Sequence, residues 1–453
     1  MNGPPEPATG GISNRAILAL AVPALGTLAV EPLYRLADTA IIGRLGTIPL
    51  AGLALAATVL STVTFLFFFL TTGTTARVAF LSGQGADQQA AEVVPQSLWV
   101  AGSIGAVLAA AMSLGARPLA QLIGGAPEVI EQAVSYLTIS SLALPFVFVA
   151  FVGNGWYRGR SDTRTPLAIV LTANVVNVVL DLWLVYGLDL GLRGSAIGTL
   201  AAQALAGTWF MVLLVRAVKG HRARVRPRWA ELGRLLRVGR QVGLRTAALL
   251  ATLALATAVA SRISPAALAG HQIAFQFFLF LALSVDALAV AAQALVGTAL
   301  GRGGEAQARV VGRRIVRMGT GLGALLTVAV LVVAPVLPRL FTTDPGVAAQ
   351  ATVALVALAI MQIPAAIAFT LDGVLEGASD FGFLQWALIG ALGAFAPFVA
   401  AVLYRPSLGL AGLWAGLIAW MAARAVILLI RFRGSRWTEL QRDPGLQEPA
   451  AAG

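Results

Sequence analysis

Cysteine is absent from the 453 residues. Disulfides, thiolate metal sites and thiol nucleophiles go with it, and the redox compartment stays open. Histidine is nearly absent as well: His221 and His271 stand apart with no companion ligands, which leaves no basis for a metal site or for histidine-based acid–base catalysis. Charge is scarce, at 11% of residues, where a soluble protein carries about a quarter. What fills the space is apolar: 58% of residues are hydrophobic and mean hydropathy is +0.83. A soluble globule is excluded. Runs of about 20 apolar residues recur along the whole chain, each long enough to cross a bilayer as a helix. The composition is that of a polytopic helical membrane protein.

Charged and Gly/Pro breaks divide the runs into twelve helices, expected to begin near Ile17, Leu50, Val93, Ile130, Pro166, Gly194, Gln241, Ala267, Ile315, Val347, Phe383 and Gly409. Residues 1–13 read as a disordered N-terminal tail without the basic start or cleavage site of a signal peptide, so the first span is expected to be retained. Residues 14–215 form an N-terminal lobe, 216–240 a basic cytoplasmic linker, 241–433 a C-terminal lobe and 434–453 a polar C-terminal tail. The net charge of +12 comes from 32 basic residues, of which only Lys219 is lysine. With both termini placed in the cytoplasm, 22 of them fall on the inner side, six on the outer side and four within spans. That asymmetry is the positive-inside signature of a cell-membrane protein. It accounts for the basic excess as topogenic and lipid-facing charge and removes the case for nucleic-acid binding.

The chain repeats itself at a fixed offset of 218 residues. Gly155, Gly159, Ser161 and Asp162 recur as Gly373, Gly377, Ser379 and Asp380; Gly83 and Gly85 recur as Gly301 and Gly303; Gly191 and Gly198 recur as Gly409 and Gly416. Six spans per half is an even number, so both halves enter from the same side and the repeat is parallel. The expected fold is all-α: twelve transmembrane helices in two pseudo-symmetric six-helix bundles around a central cleft, one rocking against the other.

Ionisable groups inside hydrocarbon cost at least about 2.5–3.5 kcal/mol and mark functional sites by default. The first span carries Glu31, Arg35 and Asp38 at i, i+4 and i+7, and the fifth carries Asn174, Asn177 and Asp181 at i, i+3 and i+7, so each set shares one helix face. If the two faces meet, their oxygens line one polar cavity. Paired buried carboxylates exchange protons near neutral pH, and the same oxygen ligands suit Na⁺. Glu31 and Arg35 read equally as partners of one another. In the second half, Asp286 and Asp372 are secondary candidates whose repeat positions are Phe68 and Asn154. Pro23 removes a backbone hydrogen bond in the first span and is a candidate hinge. The stretch GWYRGRSDTRTP from Gly155 to Pro166 lacks the Lys-Ser/Thr ending of a phosphate cradle and reads as a tight turn between helices.

Pro23 and Asp38, Asn154 with its G-x-x-x-G-x-S-D-T-R-T-P turn, Asn177 and Asp181, Thr199 and the two six-helix halves resemble the multidrug and toxic compound extrusion (MATE) transporters. Asp286 in the eighth span and Leu371-Asp372-Gly373, with no acid in the seventh span, resemble the DNA-damage-inducible F branch. The resemblance covers about residues 14–433. It implies secondary-active export of small amphipathic, usually cationic compounds, coupled to inward H⁺ or Na⁺, with no cofactor. It also implies an ion-coupling site at Asp38, Asn177, Asp181 and Thr199, with Asn154 alongside. A related lipid-linked-oligosaccharide flippase is the alternative and would call for a cationic cavity. Five intramembrane acids against four arginines lean the other way. A membrane-embedded enzyme would need a catalytic grouping, such as Ser with His or G-x-G-D, that the sequence does not contain.

Overall fold

A computed structural model describes residues 13–440; the expectations for residues 1–12 and 441–453 lie outside the described residues. Among the described residues twelve helices are long and apolar enough to cross a membrane, and there is no strand. The first six are Asn14–Gly43, Thr47–Gly83, Asp87–Leu114, Pro127–Gly159, Arg164–Gly187 and Gly191–Gly220. The second six are Trp229–Ile263, Pro265–Gly301, Glu305–Val333, Pro345–Gly377, Phe381–Tyr404 and Pro406–Arg433. Both ends of this array lie on one face, since Arg314 at the start of the ninth span donates to Asn14 at 2.6 Å and Arg309 to the carbonyl of Gly434 at 2.8 Å.

Local chemistry sets the helix starts. Ser13 and Ser264 accept from the third residue of the helices they cap, and Asp344 accepts from Gly346 and Val347. In the GWYRGRSDTRTP segment, Ser161 takes a φ of 60° and Asp162 accepts from the backbone of Arg164 and Thr165. The segment is a turn and a helix cap. Two spans are not uniform helices. The second breaks at Phe67–Phe68, between Thr47–Leu66 and Phe69–Gly83, and the fifth ends in a π-helical turn over Trp183–Gly187.

The repeat is written into the backbone. Ser161 and Ser379, Gly85 and Gly303, and Gly191 and Gly409 are three repeat pairs, each at nearly the same positive φ. Packing repeats too. Gly52 of the second span lies against Gln132 of the fourth, as Gly270 of the eighth lies against Gln350 of the tenth; Gly159 approaches the carbonyl of Thr75 as Gly377 approaches that of Gln293. The lobes meet on the pseudo-two-fold axis. Gly83 abuts Thr298 while Gly301 abuts Phe80, the same contact reflected, and Ala79 faces its own repeat mate Gly297.

Several boundaries differ from the sequence expectation. The seventh and ninth helices begin at Trp229 and Glu305, about three turns before their apolar runs, because arginine is a good helix former and its amphipathic turns continue beyond the hydrocarbon. The linker shrinks to residues 221–228, since the sixth helix likewise runs on to Gly220. Finally, the segment following Arg433 is not all polar tail. Arg436–Glu439 forms a helical turn, and Trp437 is fully buried, donating to the Phe432 carbonyl at 2.9 Å beneath the Arg309 guanidinium.

The lobe contact yields a test. A Cβ on Gly83 would stand 2.9 Å from the Thr298 carbonyl carbon, and one on Gly301 equally close to that of Phe80. Gly83→Ala and Gly301→Ala are each expected to cost about 1–3 kcal/mol and to lower Tm in detergent by similar amounts. Gly102→Ala, with open space around the new methyl, is expected not to lower it.

Candidate functional site

The first, fourth, fifth and sixth spans enclose a polar group inside the N-terminal lobe. Asp38 is 5% exposed and accepts from the Ser195 hydroxyl at 2.8 Å. Asp181 is fully buried and neither of its oxygens has a hydrogen-bond partner. The backbone of Gly198 comes so close to Asp181 that any side chain there would collide with its carboxylate. Asn177, one turn earlier, is 2% exposed with its side-chain carbonyl unpartnered. Thr199 shares its hydroxyl with Tyr34 at 3.0 Å and Tyr136 at 3.3 Å. Both aspartates and both tyrosines are within electrostatic reach of one another.

Ser195, Gly198 and Thr199 are successive contacts of one helix face, so the sixth span is the rail on which the group is mounted. The π-turn at Trp183–Gly187 begins two residues after Asp181. Three oxygens, two of Asp181 and one of Asn177, are buried acceptors without donors. Buried polar atoms are almost always satisfied, so these three oxygens set the cluster apart from the rest of the lobe interior.

The other sequence candidates are placed differently. Glu31 and Arg35 form a 2.6 Å ion pair on the exposed side of the first span, with side chains 63% and 50% exposed, apart from buried Asp38. Glu31 and Asp38 share a helix face but lie two turns, about 10 Å, apart along the axis, so each meets different surroundings. Asn174 donates to the Val170 carbonyl at 2.8 Å and Asn154 to that of Ala150 at 2.9 Å. Asn154 is buried, its side-chain carbonyl unpartnered. Pro23 lies in an unbroken helix, with Pro32 a second proline within it. Next to Pro23 the Leu20 carbonyl accepts from Thr163 at 3.0 Å.

Asp372 belongs to a five-charge cluster in the C-terminal lobe. It accepts from Arg424 and, at 2.9 Å, from Arg245, which also pairs with Glu376 at 2.7 Å; Asp286 lies in the same field. Arg245, Arg424 and Glu376 were not candidates in the sequence, and the two arginines carried the needed signal as unmatched charges within spans. Ser195, Tyr34 and Tyr136 were also missed. Tyr34 is one turn from Asp38 and Ser195 one turn from Thr199, a spacing that places each on its neighbour's face.

The family model MatE matches residues 23–183 and 245–402. The chain belongs to the MatE family. Among its relatives, "Protein DETOXIFICATION 44, chloroplastic" of Arabidopsis thaliana is 34% identical, covering 93% of this chain and 82% of that one. "DNA damage-inducible protein F" of Escherichia coli (strain K12) is 28% identical, covering 93% and 92%. A solved structure described as MATE in the bent conformation superposes with a TM-score of 0.85 at 21% identity, covering 96% of each chain. MatE proteins are membrane transporters, and in this member the N-terminal lobe's acids and the C-terminal lobe's ion-pair cluster are both specific to one repeat.

Within the cluster, Arg424→Met would leave Asp372 buried with Arg245 alone. Losing one partner of a buried pair costs about 3–5 kcal/mol, so a marked fall in Tm is expected. Asp372→Asn combined with Arg424→Met is expected to recover part of it. Equal melting of the single variant and the parent would show that the cluster is not a coupled unit.

Proposed function

We propose that this MatE protein is an antiporter that exports small amphipathic, mostly cationic drugs and toxic compounds in exchange for inward H⁺ or Na⁺. The carrying observation is the buried, unpartnered Asp181 carboxylate beside the Ser195-bound Asp38. A buried carboxylate without a partner costs several kcal/mol, and either a proton or Na⁺ held by Asp38, Asn177, Asp181 and Thr199 removes that cost. Neutralising the pair weakens attraction for a cationic substrate and favours its release; loss of the ion restores it. Coupling is this exclusion of one positive charge by another.

Alternating access is the proposed motion. The lobes touch mainly through the Phe69–Gly83 half of the second span, and the glycine contact on the axis offers a fulcrum for rocking. Bending of the first span at Pro23 would carry Asp38 with it. The arginine distribution supports an inner or plasma membrane orientation with both termini in the cytoplasm. No catalytic activity is assigned. The lipid-linked-oligosaccharide flippase remains the alternative, because one cavity of the structure is basic.

The test is transport by purified protein in liposomes. Asp181→Asn and Asp38→Asn are expected to melt near the parent temperature and to slow ethidium or norfloxacin transport at least tenfold under an imposed pH or Na⁺ gradient. Whichever gradient drives the parent identifies the ion. Unchanged rates and pH dependence in both variants would rule out this site as the coupling site. Failure to export any drug from a pump-deficient host would favour the flippase.

A further inference from the structure

The pseudo-symmetry of the lobes is broken in one place. The first span packs closely along the eighth, whereas its repeat mate, the seventh, packs less closely along the second. The space left is a cavity of about 1300 Å³ between the lobes, on the face that carries both termini. None of the acids of the N-terminal polar group lines it. Eight arginines do, against four acids. Three of those acids are already engaged: Glu92 with Arg228 at 2.7 Å, Glu231 with Arg234 at 3.4 Å and Asp380 with Arg431 at 2.7 Å. The cavity is strongly basic after its internal pairing is complete.

Topogenic charge explains the exposed arginines of the linker and helix ends. It does not explain Arg77. This residue sits six residues before the end of the second span, about 9 Å inside it, half-buried in the cavity wall. Its charged neighbours are Arg234 and Glu231, the latter already paired with Arg234, and no carboxylate is within ion-pairing distance of Arg77 among the described residues. Its repeat mate is Leu295, so no symmetry of the fold requires a cation here. A guanidinium on a cavity wall with no carboxylate partner keeps its donors free for an anion from outside the chain, which it would hold through charge-assisted bonds. The opposite wall is aromatic, with Phe383 beneath the Arg431 guanidinium at 4.7 Å and Trp386 62% exposed.

We propose that this cavity is a binding site for an amphipathic anion, its phosphate or carboxylate head held by Arg77 and Arg240 and its apolar body against Phe383 and Trp386. Because the second and third spans form one wall and the seventh and eleventh the other, the occupant bridges the lobes. The site is separate from the ion-coupling group and stands whatever that group couples to. An anionic phospholipid and a free organic anion share this chemistry.

The test uses the full chain in phosphatidylcholine nanodiscs, titrated calorimetrically with hexyl phosphate and with hexyltrimethylammonium. Hexyl phosphate is expected to bind saturably, with affinity falling as salt rises, and the cation not to compete. Arg77→Gln is expected to weaken hexyl phosphate at least tenfold, Arg77→Lys less, and Arg302→Gln, outside the cavity, not at all. Arg240→Gln, on the exposed rim, provides a variant that leaves the wall intact and is expected to weaken binding severalfold. Replacing part of the phosphatidylcholine with phosphatidylglycerol separates the sources: competition identifies a lipid occupant, and its absence a free anion. Parent-like hexyl phosphate affinity in both Arg77→Gln and Arg240→Gln would overturn the proposal, as would equal binding of phosphate and cation.

Discussion

The structure turns on the contact between the second and eighth spans. In hydrocarbon there is no hydrophobic force to press helices together, so close backbone approach must supply the adhesion. Gly83 and Gly301 permit that approach by presenting no side chain, each to a carbonyl of the other helix. Because the two contacts are repeat mates, one interaction is made twice about the axis. The first span adds a second inter-lobe seam along the eighth.

Inside the bundles the duplication has diverged chemically. Asp38, Asn177, Asp181, Ser195 and Thr199 have as repeat mates Ala256, Phe395, Val399, Leu413 and Leu417, all buried apolar residues. Where one lobe keeps a cluster of unsatisfied oxygens, the other is packed solid. Conversely, the C-terminal cluster of Arg245, Asp286, Asp372, Glu376 and Arg424 has as repeat mates Thr27, Phe68, Asn154, Arg158 and Ala206 in the N-terminal lobe. The two polar sites thus use different helix positions of a shared scaffold. One is short of donors; the other is internally paired through Asp372 and suited to holding helices in register.

Much of this was legible in the chain. Asp38, Asn177 and Asp181 stood out because a carboxylate or carboxamide in an apolar run has few innocent explanations, and the spacing of Asn177 and Asp181 put those two on one face. The same reasoning could not separate Asp38 from Glu31 and Arg35. Helical periodicity fixes relative angle along one helix but not which neighbour that angle meets. Ser195, Tyr34 and Tyr136 escaped because hydroxyls cost little in a membrane and draw no notice singly. The linker was overestimated for a related reason: arginine signals a membrane boundary without ending a helix.

The sequence by itself determined the membrane class, the twelve spans and the duplication, since these follow from hydrophobic length and from identities at a constant offset. Tertiary structure alone decided which polar residues share an enclosure, which charges are paired and where the lobes leave a gap. Those outcomes depend on how helices distant in sequence face one another. Arg77 shows the difference best: in the sequence it is one of four arginines within spans, and only the packing around it leaves it facing a basic cavity without an anion.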